Sequence, residues 1–276
     1  METGNAIELK GVTKRFGDVI ANDNVNLIVR KGEILSILGE NGSGKTTLMN
    51  MLSGIYFPDE GEVYVDGKEV TIRSPKDSFA LGIGMIHQHF KLINILTAAE
   101  NIILGLPGKE KLNMKQVEKE IRELTEQYGF DLNPSQKIYD MSVSQKQTVE
   151  IVKVLYRGAD ILILDEPTSG QDGHEKKMLM RLMESLQQRG ITIILVTHDM
   201  DIVARDCTRV IVIASHKVAF DGRPEELFSA KNRPEDWGLL YPASVLLGRK
   251  LPGAPYCRDM DSFCRTFIAL KGEGAL

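Results

Sequence analysis

Eight consecutive residues carry the clearest chemistry in the sequence: Gly39-Glu40-Asn41-Gly42-Ser43-Gly44-Lys45-Thr46. Glycines at these positions let backbone N–H groups turn toward an anion, and the Lys45 ammonium places a cation beside them. The Thr46 hydroxyl can serve as a ligand to Mg²⁺, and Thr47, which follows it, is a further candidate contact. The spacing G-x-x-x-x-G-K-[ST] therefore predicts a loop that binds the β and γ phosphates of a nucleotide.

Two carboxylates and a histidine follow apolar runs elsewhere in the chain. Ile161 to Leu164 stops at Asp165-Glu166, and Thr192 to Val196 stops at Thr197-His198. In open parallel sheets, ligands bind at the edge where the strands end. At that edge Asp165 can hold Mg²⁺ through water, Glu166 can orient or deprotonate an attacking water, and His198 can sense a phosphate. Seen alone, the same residues are a solvated acidic pair and a histidine that satisfies a nearby carbonyl.

The elements around these residues indicate an α/β fold. Ile34 to Leu38 is an apolar strand before the phosphate loop, and Leu48 to Leu52 has helical spacing after it. Alternating, β-branched runs predict antiparallel strands beside the parallel core, at Ile7 to Phe16, Val25 to Val29, Glu62 to Val65 and Lys68 to Ile72. Further along, Gly84 to Gln88 reads as a short strand that ends on polar residues.

A helical insertion is predicted at about residues 89–158, with Asn113 as an N-cap and Gln116 in the position that reaches back to it. Its helices are expected at Thr97 to Leu104, Asn113 to Tyr128 and Ser142 to Tyr156. Beyond it, Glu175 to Arg189 is a crossover helix, and two strands, Arg209 to Ala214 and Lys217 to Asp221, complete the sheet.

The nucleotide-binding domain is predicted to span residues 1–230 and end near Ala230. Residues 231–276 form a C-terminal helical appendage, which either covers exposed surface of the domain or contacts a second subunit. The predicted fold class is α/β: a P-loop NTPase parallel-sheet core with an antiparallel β subdomain, an inserted helical subdomain and this appendage.

Composition narrows the function classes. A net charge of −4 and a pI near 5.8 provide no broad cationic field, so nucleic acid is not expected as a partner. No apolar run approaches the roughly 20 residues of a spanning helix, and we expect the chain to be neither secreted nor membrane-spanning by itself. Three irregularly spaced cysteines, Cys207, Cys257 and Cys264, are expected to be reduced thiols in the cytosol.

Over about its first 230 positions, the sequence resembles the ATP-binding subunit of an ABC transporter. Gly39 to Thr46 is similar to Walker A, Gln88 to the Q-loop glutamine, and Met141-Ser142-Val143-Ser144-Gln145 to the family signature. The remaining motifs follow in the family's order: Ile161 to Glu166 resembles Walker B, Ser169 to Asp172 the D-loop, and His198 the switch histidine.

The resemblance implies an ATPase mechanism in which two such subunits sandwich two ATP molecules. The residues of the phosphate loop bind ATP in cis, Thr46, Gln88 and Asp165 hold Mg²⁺, and Glu166, His198 and Lys45 are catalytic. The signature residues Ser142, Val143, Ser144 and Gln145 would contact the partner's ATP, and Asp172 would lie in the D-loop. Phe16 matches the position that stacks on adenine, although a Phe at a strand end is as often a core residue.

The same resemblance implies transmembrane permease subunits as partners and a peripheral location on the cytoplasmic face of the inner membrane. Membrane contact would come through the permease only. His87 to Phe90 and Val149 to Ala159 resemble the ATPases of bacterial nucleoside and simple-sugar importers, whereas Thr197 to Asp201 and Trp237 to Leu239 look more like energy-coupling-factor ATPases for vitamins and metal ions. Sugar-type relatives commonly carry two cassettes in one chain, and this sequence carries the motifs of one.

Two positions depart from the family pattern. Ser144 replaces the second glycine of the signature, where a Cβ would crowd the approach to the γ-phosphate, and Gln171 replaces the usual Leu of the D-loop. If Ser144 weakens the signature, an asymmetric heterodimer is favoured; if serine is tolerated there, the subunit can pair with itself.

Two rival functions stay open. A soluble ABC ATPase of DNA repair or translation would typically carry a long coiled coil between Walker A and the signature, and the interval from Lys45 to Asp165 is too short for one. A nucleotide-binding regulatory module that does not hydrolyse ATP would not need Glu166 and His198. An ATP-hydrolysing importer subunit remains the favoured function.

Overall fold

The computed structural model describes residues 4–106, 113–229 and 231–272 of the chain. Its strands are β1 (Asn5–Phe16), β2 (Val19–Arg30), β3 (Ile34–Leu38), β4 (Glu60–Val65), β5 (Lys68–Val70), β6 (Ile83–Ile86), β7 (Ile161–Asp165), β8 (Thr192–Val196), β9 (Arg209–Ala214) and β10 (Lys217–Gly222).

The described chain also contains ten α-helices, which lie between these strands and after the last of them. They are α1 (Lys45–Leu52), α2 (Pro75–Ala80), α3 (Ala98–Ile103), α4 (Met114–Tyr128), α5 (Val143–Tyr156), α6 (Gly173–Gln188), α7 (Met200–Asp206), α8 (Pro224–Leu227), α9 (Ala243–Gly248) and α10 (Met260–Gly272). Short 3₁₀ helices lie at Ile138–Asp140 and Pro234–Trp237. In the part of the chain that the structure describes, no helix has the length and apolar character needed to span a membrane.

The central sheet has six strands in the order β10-β9-β3-β8-β7-β6. The strands β9, β3, β8, β7 and β6 run parallel to one another, and β10 pairs antiparallel with β9. A second sheet, in the order β2-β1-β4-β5, is antiparallel throughout. The predicted α/β class, with a parallel core and a separate antiparallel sheet, is confirmed.

Alternate residues of the parallel strands enter different hydrophobic cores, because successive side chains of a strand point to opposite faces. Ile163 and Ile194 pack into a core shared with α1 and the antiparallel sheet, whereas Leu162 and Ile193 pack into a core formed with α5, α6 and α7. A strand that is covered on both faces needs apolar residues at every position. This requirement explains the apolar runs of β3, β7 and β8. The buried Ser36 interrupts the run of β3, and the other polar residues of these strands lie at the strand ends.

The inserted helices α3, α4 and α5 share a core of their own, which includes Ile102, Ile121 and Val149. The C-terminal segment packs back on the main domain, since Leu239 and Val245 lie in one cluster with Leu38 of β3 and Val210 of β9. The predicted limits of the insertion and of the appendage stay predictions, and Ala230 lies outside the described residues.

Three local predictions are wrong. Strand β2 begins at Val19 rather than Val25, because the segment before Val25, which includes the polar Asn22-Asp23-Asn24, pairs with β1 across several register shifts. The strand predicted at Gly84 to Gln88 ends at Ile86, so Gln88 lies in the loop after β6. Asn113 caps α4, but the Gln116 side chain does not reach back to Asn113. Its Nε2 donates to Oε1 of Glu120 one turn further on, and this i,i+4 contact holds the side chain along the helix.

Candidate functional site

The phosphate loop turns sharply between β3 and α1, and its glycines make the turn possible. Gly39, Gly42 and Gly44 have φ of 145°, 82° and 104°, and residues other than glycine rarely adopt such positive values. A Cβ on Gly44 would lie 2.1 Å from the Ala21 carbonyl oxygen, and one on Gly39 would lie 2.1 Å from that of Ile213. Two of the glycines are therefore required by neighbouring backbone as well as by conformation.

Helix α1 begins at Lys45 directly after this turn, with Gly44 as its N-cap and no side-chain hydrogen bond to the cap among the described residues. Its first-turn N–H groups are thus the positive end of a helix dipole at the loop. The Ser43 hydroxyl is buried and has no hydrogen-bond partner in the described part of the chain. Both features suit a loop that binds phosphate oxygens.

Lys45 is only 6% exposed and lies across the loop. Its Nζ donates to the carbonyl oxygens of Gly39 and Glu40, each at 2.8 Å. Burial lowers the pKa of Lys45, and the nearby carboxylates of Glu166 and Asp165 oppose that shift. The ammonium group is therefore held in place by the loop's own carbonyls, next to the acidic pair.

The acidic pair and the histidine meet because their strands are neighbours. Asp165 pairs with Val196 in the β7–β8 ladder, and the Glu166 backbone N–H donates to the Val196 carbonyl at 2.9 Å. The residues just beyond the two strands therefore lie side by side. His198 Nε2 is 3.1 Å from Glu166 Oε1, and the His198 backbone N–H donates to Glu166 Oε2 at 3.3 Å.

Glu166 itself has an unusual backbone, with φ of 47°. A non-glycine residue in this region costs about 1–3 kcal/mol and is characteristic of functional sites. Although His198 Nε2 is close, Oε1 of Glu166 is buried without a hydrogen bond of good geometry in the described chain. One carboxylate oxygen is thus available to accept a proton.

The pKa values of the two carboxyl groups and of the imidazole shift in opposite directions. Burial raises the pKa of Asp165 and of Glu166, and in both cases Lys45 opposes the shift. Burial, reinforced by the Lys45 charge, lowers the pKa of His198 below its usual 6.5. At neutral pH the imidazole is therefore uncharged and does not neutralise the neighbouring carboxylate. Opposed shifts of this kind are typical of acid–base sites.

The groups named so far surround one open cavity of about 1200 Å³. Lys45, Thr46, Gln88, Asp165, Glu166 and His198 all line it, as do Asn41, Gly42, Gly44 and Thr47. Hydroxyl, amide and carboxylate oxygens from Thr46, Gln88 and Asp165 are the hard ligands that Mg²⁺ prefers. The residues at this edge of the sheet thus fit a magnesium-nucleotide, with phosphates at the loop and the acidic pair opposite.

Some predicted site residues lie elsewhere. Gly39, Glu40 and Ser43 form the base of the loop outside the cavity lining. Phe16 also lies outside it and is 43% exposed, with its ring edge-to-face against Tyr56 at 5.1 Å between centroids. The alternative that Phe16 is a core residue is therefore wrong, and its stacking on adenine stays a prediction.

The signature residues form the start of helix α5, away from this cavity. Ser142 and Gln145 make a reciprocal capping box, in which each side chain accepts from the other's backbone N–H. Ser144 and Gln145 border a second, smaller cavity of about 430 Å³ between α4, α5 and α6. Asp172 caps α6, where its Oδ1 accepts from the N–H groups of His174 and Glu175, and these backbone bonds lower its pKa. Within one chain, signature and phosphate loop do not share a cavity.

Three parts of the site were missed by sequence reasoning. Lys176 in the first turn of α6 forms an ion pair with Asp199 at 2.7 Å, directly after His198. The segment from Gly238 to Ala243 lines the cavity, and a Cβ on Gly238 would lie 2.1 Å from Glu40. His216, in the tight turn between β9 and β10, lines it as well. Each contact joins parts of the chain that are distant in sequence, so no local sequence pattern predicts it.

Comparison of the sequence with known proteins supports the interpretation of this cavity as a nucleotide site. The family model described as ABC transporter matches residues 22–169. The chain is similar to the nucleoside import ATP-binding protein NupA of Lactococcus lactis subsp. cremoris, with 50% identity over 219 residues, 79% of this chain and 43% of the relative. It is also similar to the guanosine import ATP-binding protein NupO of Bacillus subtilis, with 48% identity over 76% of this chain and 42% of the relative. The chain thus spans less than half the length of these curated relatives.

Solved structures share the fold along most of their length. CbiO1 from Clostridium perfringens, part of the ABC transporter complex cbiONQ, has a TM-score of 0.73 and 30% identity, over 83% of this chain and 92% of that one. A dimeric ATP-binding cassette in a post-hydrolysis state, bound to ADP and Pi, has a TM-score of 0.67 and 30% identity, over 79% of this chain and 98% of that one.

Proposed function

Because the chain belongs to the ABC transporter ATPase family, we propose that it binds and hydrolyses ATP as a subunit of an importer for nucleosides or simple sugars. The observation that carries the proposal is the meeting of Lys45, Asp165, Glu166 and His198 around one cavity at the carboxyl edge of the parallel sheet. A phosphate loop alone would support binding, whereas the acidic pair and the neutral imidazole support turnover.

In this mechanism the loop amides and the Lys45 ammonium bind the triphosphate and stabilise the charge that develops on the transferred phosphoryl group. Thr46, Asp165 and Gln88 would hold Mg²⁺, which would neutralise part of that charge. Glu166 accepts a proton from the attacking water, the oxygen of that water bonds to the γ-phosphorus, and the bond from the γ-phosphorus to the bridging oxygen breaks to release ADP. The His198 backbone N–H donates to Glu166 Oε2 at 3.3 Å and orients the carboxylate, which leaves Oε1 to take the proton, and the His198 imidazole senses the γ-phosphate.

The ATP site is completed by a second ABC ATPase subunit. The signature residues Ser142 to Gln145 lie at the exposed start of α5, away from their own phosphate loop, so they are free to contact nucleotide held by a partner. ATP then favours the closed dimer because it is bound from both sides, and hydrolysis removes that preference. A solved relative with ADP and Pi is dimeric, which supports this arrangement.

Whether the partner is a second copy or a different subunit depends on Ser144. If its Cβ crowds the nucleotide, Ser144→Gly raises the ATPase rate of the assembled complex and a heterodimer is favoured. An unchanged rate would mean that serine is tolerated and that the impaired-signature hypothesis fails.

We place the subunit on the cytoplasmic face of the membrane, bound to transmembrane permease subunits. Nucleosides are the favoured solute, since the relatives at 50% and 48% identity are named for nucleoside and guanosine import, whereas those named for ribose import are 38–40% identical. An importer of the energy-coupling-factor type is the next candidate, because Thr197 to Asp201 and Trp237 to Leu239 resemble such ATPases.

The test is to isolate the chain with its bound proteins from its native membrane and to measure ATP hydrolysis in lipid vesicles. We expect multi-spanning proteins to co-purify and nucleosides to stimulate hydrolysis, with Glu166→Gln as the inactive control. Co-purification with ribosomes or DNA ends instead would support the soluble alternative. ATP binding without any hydrolysis in the complete assembly would support the regulatory one.

A further inference from the structure

Two glutamine side chains join the loop after β7 to helix α5. Nε2 of Gln171 donates to Oε1 of Gln147, and Nε2 of Gln147 donates to the carbonyl oxygen of Pro167 at 2.9 Å. Gln147 is 4% exposed, so these bonds are shielded from water. We call this set of contacts the glutamine bridge.

The Pro167 carbonyl determines which atom of the Gln147 amide donates and which accepts. Because that group can only accept, the amide nitrogen of Gln147 must face it, and the Gln147 oxygen is left to face residue 171. Residue 171 therefore has to supply a donor. A leucine there would leave the buried oxygen without a partner, at a typical cost of about 1–3 kcal/mol, and a glutamate would place a second acceptor against it.

Each end of the bridge belongs to a different part of the proposed ATP machinery. Gln147 lies one turn into α5, whose start carries the signature residues Ser142 to Gln145. At the other end, Thr168, Ser169, Gly170 and Gln171 itself line the nucleotide cavity, and Asp172 caps α6 just after them. The bridge thus spans from the wall of the chain's own cavity to the helix that would serve the partner's cavity.

We propose that Gln171 is a positioning residue that couples these two parts: through Gln147 it makes the loop from Pro167 to Asp172 and the first turns of α5 move as one unit. The inference rests on the proposed function, because coupling matters only if the signature of one subunit acts on nucleotide bound by another. A change at the γ-phosphate side of one site, transmitted by the loop, would then alter the signature presented to the other site.

A double-mutant cycle in the assembled complex tests the coupling. We expect Gln171→Leu to lower kcat about five- to tenfold while KM for ATP stays within about twofold, because Gln171 borders the nucleotide cavity but its amide nitrogen donates to Gln147. In a Gln147→Leu background, Gln171→Leu should have almost no further effect, since neighbours that act through one contact are non-additive. Gln171→Glu, of nearly the same size, should be at least as damaging as Gln171→Leu.

Gln188→Leu is the matched control, because Gln188 is an exposed glutamine near the end of α6. It should leave kcat and KM unchanged. Independent, additive effects of the changes at positions 147 and 171, or wild-type kcat in Gln171→Leu, would overturn the proposal.

A second measurement separates this proposal from the proposed function. Backbone hydrogen exchange in the isolated chain requires no hydrolysis and no membrane partner. In Gln171→Leu we expect faster exchange both in the first turns of α5 and in the loop from Pro167 to Asp172, with no change in α1. Should the wild-type assembly fail to hydrolyse ATP, the proposed function fails, and the exchange pattern alone then decides the bridge: unaltered exchange in α5 refutes it.

Discussion

The substitution Glu166→Gln should have opposite effects on activity and on stability. It keeps the size of the side chain but removes its ability to take a proton from water. Glu166 is the carboxylate whose Oε1 lies 3.1 Å from His198 Nε2 at the strand ends. Loss of a general base typically lowers kcat by about 10²–10⁴-fold, which corresponds to about 3–5 kcal/mol in the activation barrier.

Stability should change the other way because the folded state penalises the Glu166 charge. Burial raises the pKa of Glu166, so between its unfolded and folded pKa values the folded chain binds more protons than the unfolded chain. Stability therefore falls as pH rises through that window, and the loss persists at pH 7. Since a glutamine cannot ionise, the nucleotide-free variant should unfold at a higher temperature than the wild type at pH 7.

The pH dependence provides an internal control. Below the unfolded pKa of a glutamate, about 4.3, the residue is protonated in both states, so wild type and variant should unfold at nearly the same temperature. The difference should appear as pH rises through the window and then remain constant. Glu184→Gln is the control for removing a charge at an exposed position of α6, and it should alter neither hydrolysis nor this difference.

The assays are steady-state ATPase measurements on the assembled complex, ATP-binding titrations, and thermal unfolding of the isolated chain across pH. Glu166→Gln should retain ATP binding and accumulate as a closed dimer. Hydrolysis within tenfold of wild type would remove Glu166 as the general base. A variant that is less stable than wild type at pH 7 would refute the electrostatic reasoning.

Further substitutions at four positions test other parts of the site. Lys45→Ala removes charge-assisted bonds to phosphate worth about 1.5–3 kcal/mol, so ATP should bind at least about tenfold more weakly in a titration of the isolated chain; unaltered affinity would contradict the phosphate contact. Gly44→Ala places a Cβ 2.1 Å from the Ala21 carbonyl, so ATP binding should be lost and unfolding should occur at lower denaturant, whereas Gly42→Ala, with nothing within 4 Å, should cost only the backbone strain of about 1–2 kcal/mol. Equal effects of the two glycine substitutions would show that the close approach to β2 is unimportant. Lys176→Ala breaks the 2.7 Å ion pair with Asp199 beside His198, and it should lower kcat severalfold with little change in ATP affinity, while Lys176→Arg retains activity; normal kcat in Lys176→Ala would exclude a positioning role.

The sequence was most informative where a single physical requirement covers a short stretch. The mostly apolar runs of β3, β8 and β9 were predicted with their observed bounds, because strands buried on both faces need apolar residues at most positions. Pairing with a partner strand can extend an element beyond its local pattern. For this reason the first part of β2, where Asn22-Asp23-Asn24 breaks the apolar alternation, was not predicted. The end of β6 was misplaced because Gln88 belongs to the loop that lines the cavity.

The candidate site divides in the same way. The loop from Gly39 to Thr46 is contiguous, so its residue types and spacing alone predicted a phosphate site. Asp165, Glu166 and His198 were predicted to share one edge because they follow strands, and that edge is where the structure has them. The left-handed backbone of Glu166 was not predictable, since nothing in its local sequence requires a positive φ.

The sequence by itself therefore predicted which groups would carry the proposed chemistry, because motifs of a few residues specify backbone and side-chain types directly. Only the tertiary structure decided what holds those groups in place: the Gln147–Gln171 contact, the Lys176–Asp199 ion pair and the close approach of Gly238 to Glu40. Each of these contacts joins side chains from separate elements. Their geometry depends on how helices and strands pack, and that packing is a property of the whole chain rather than of any segment.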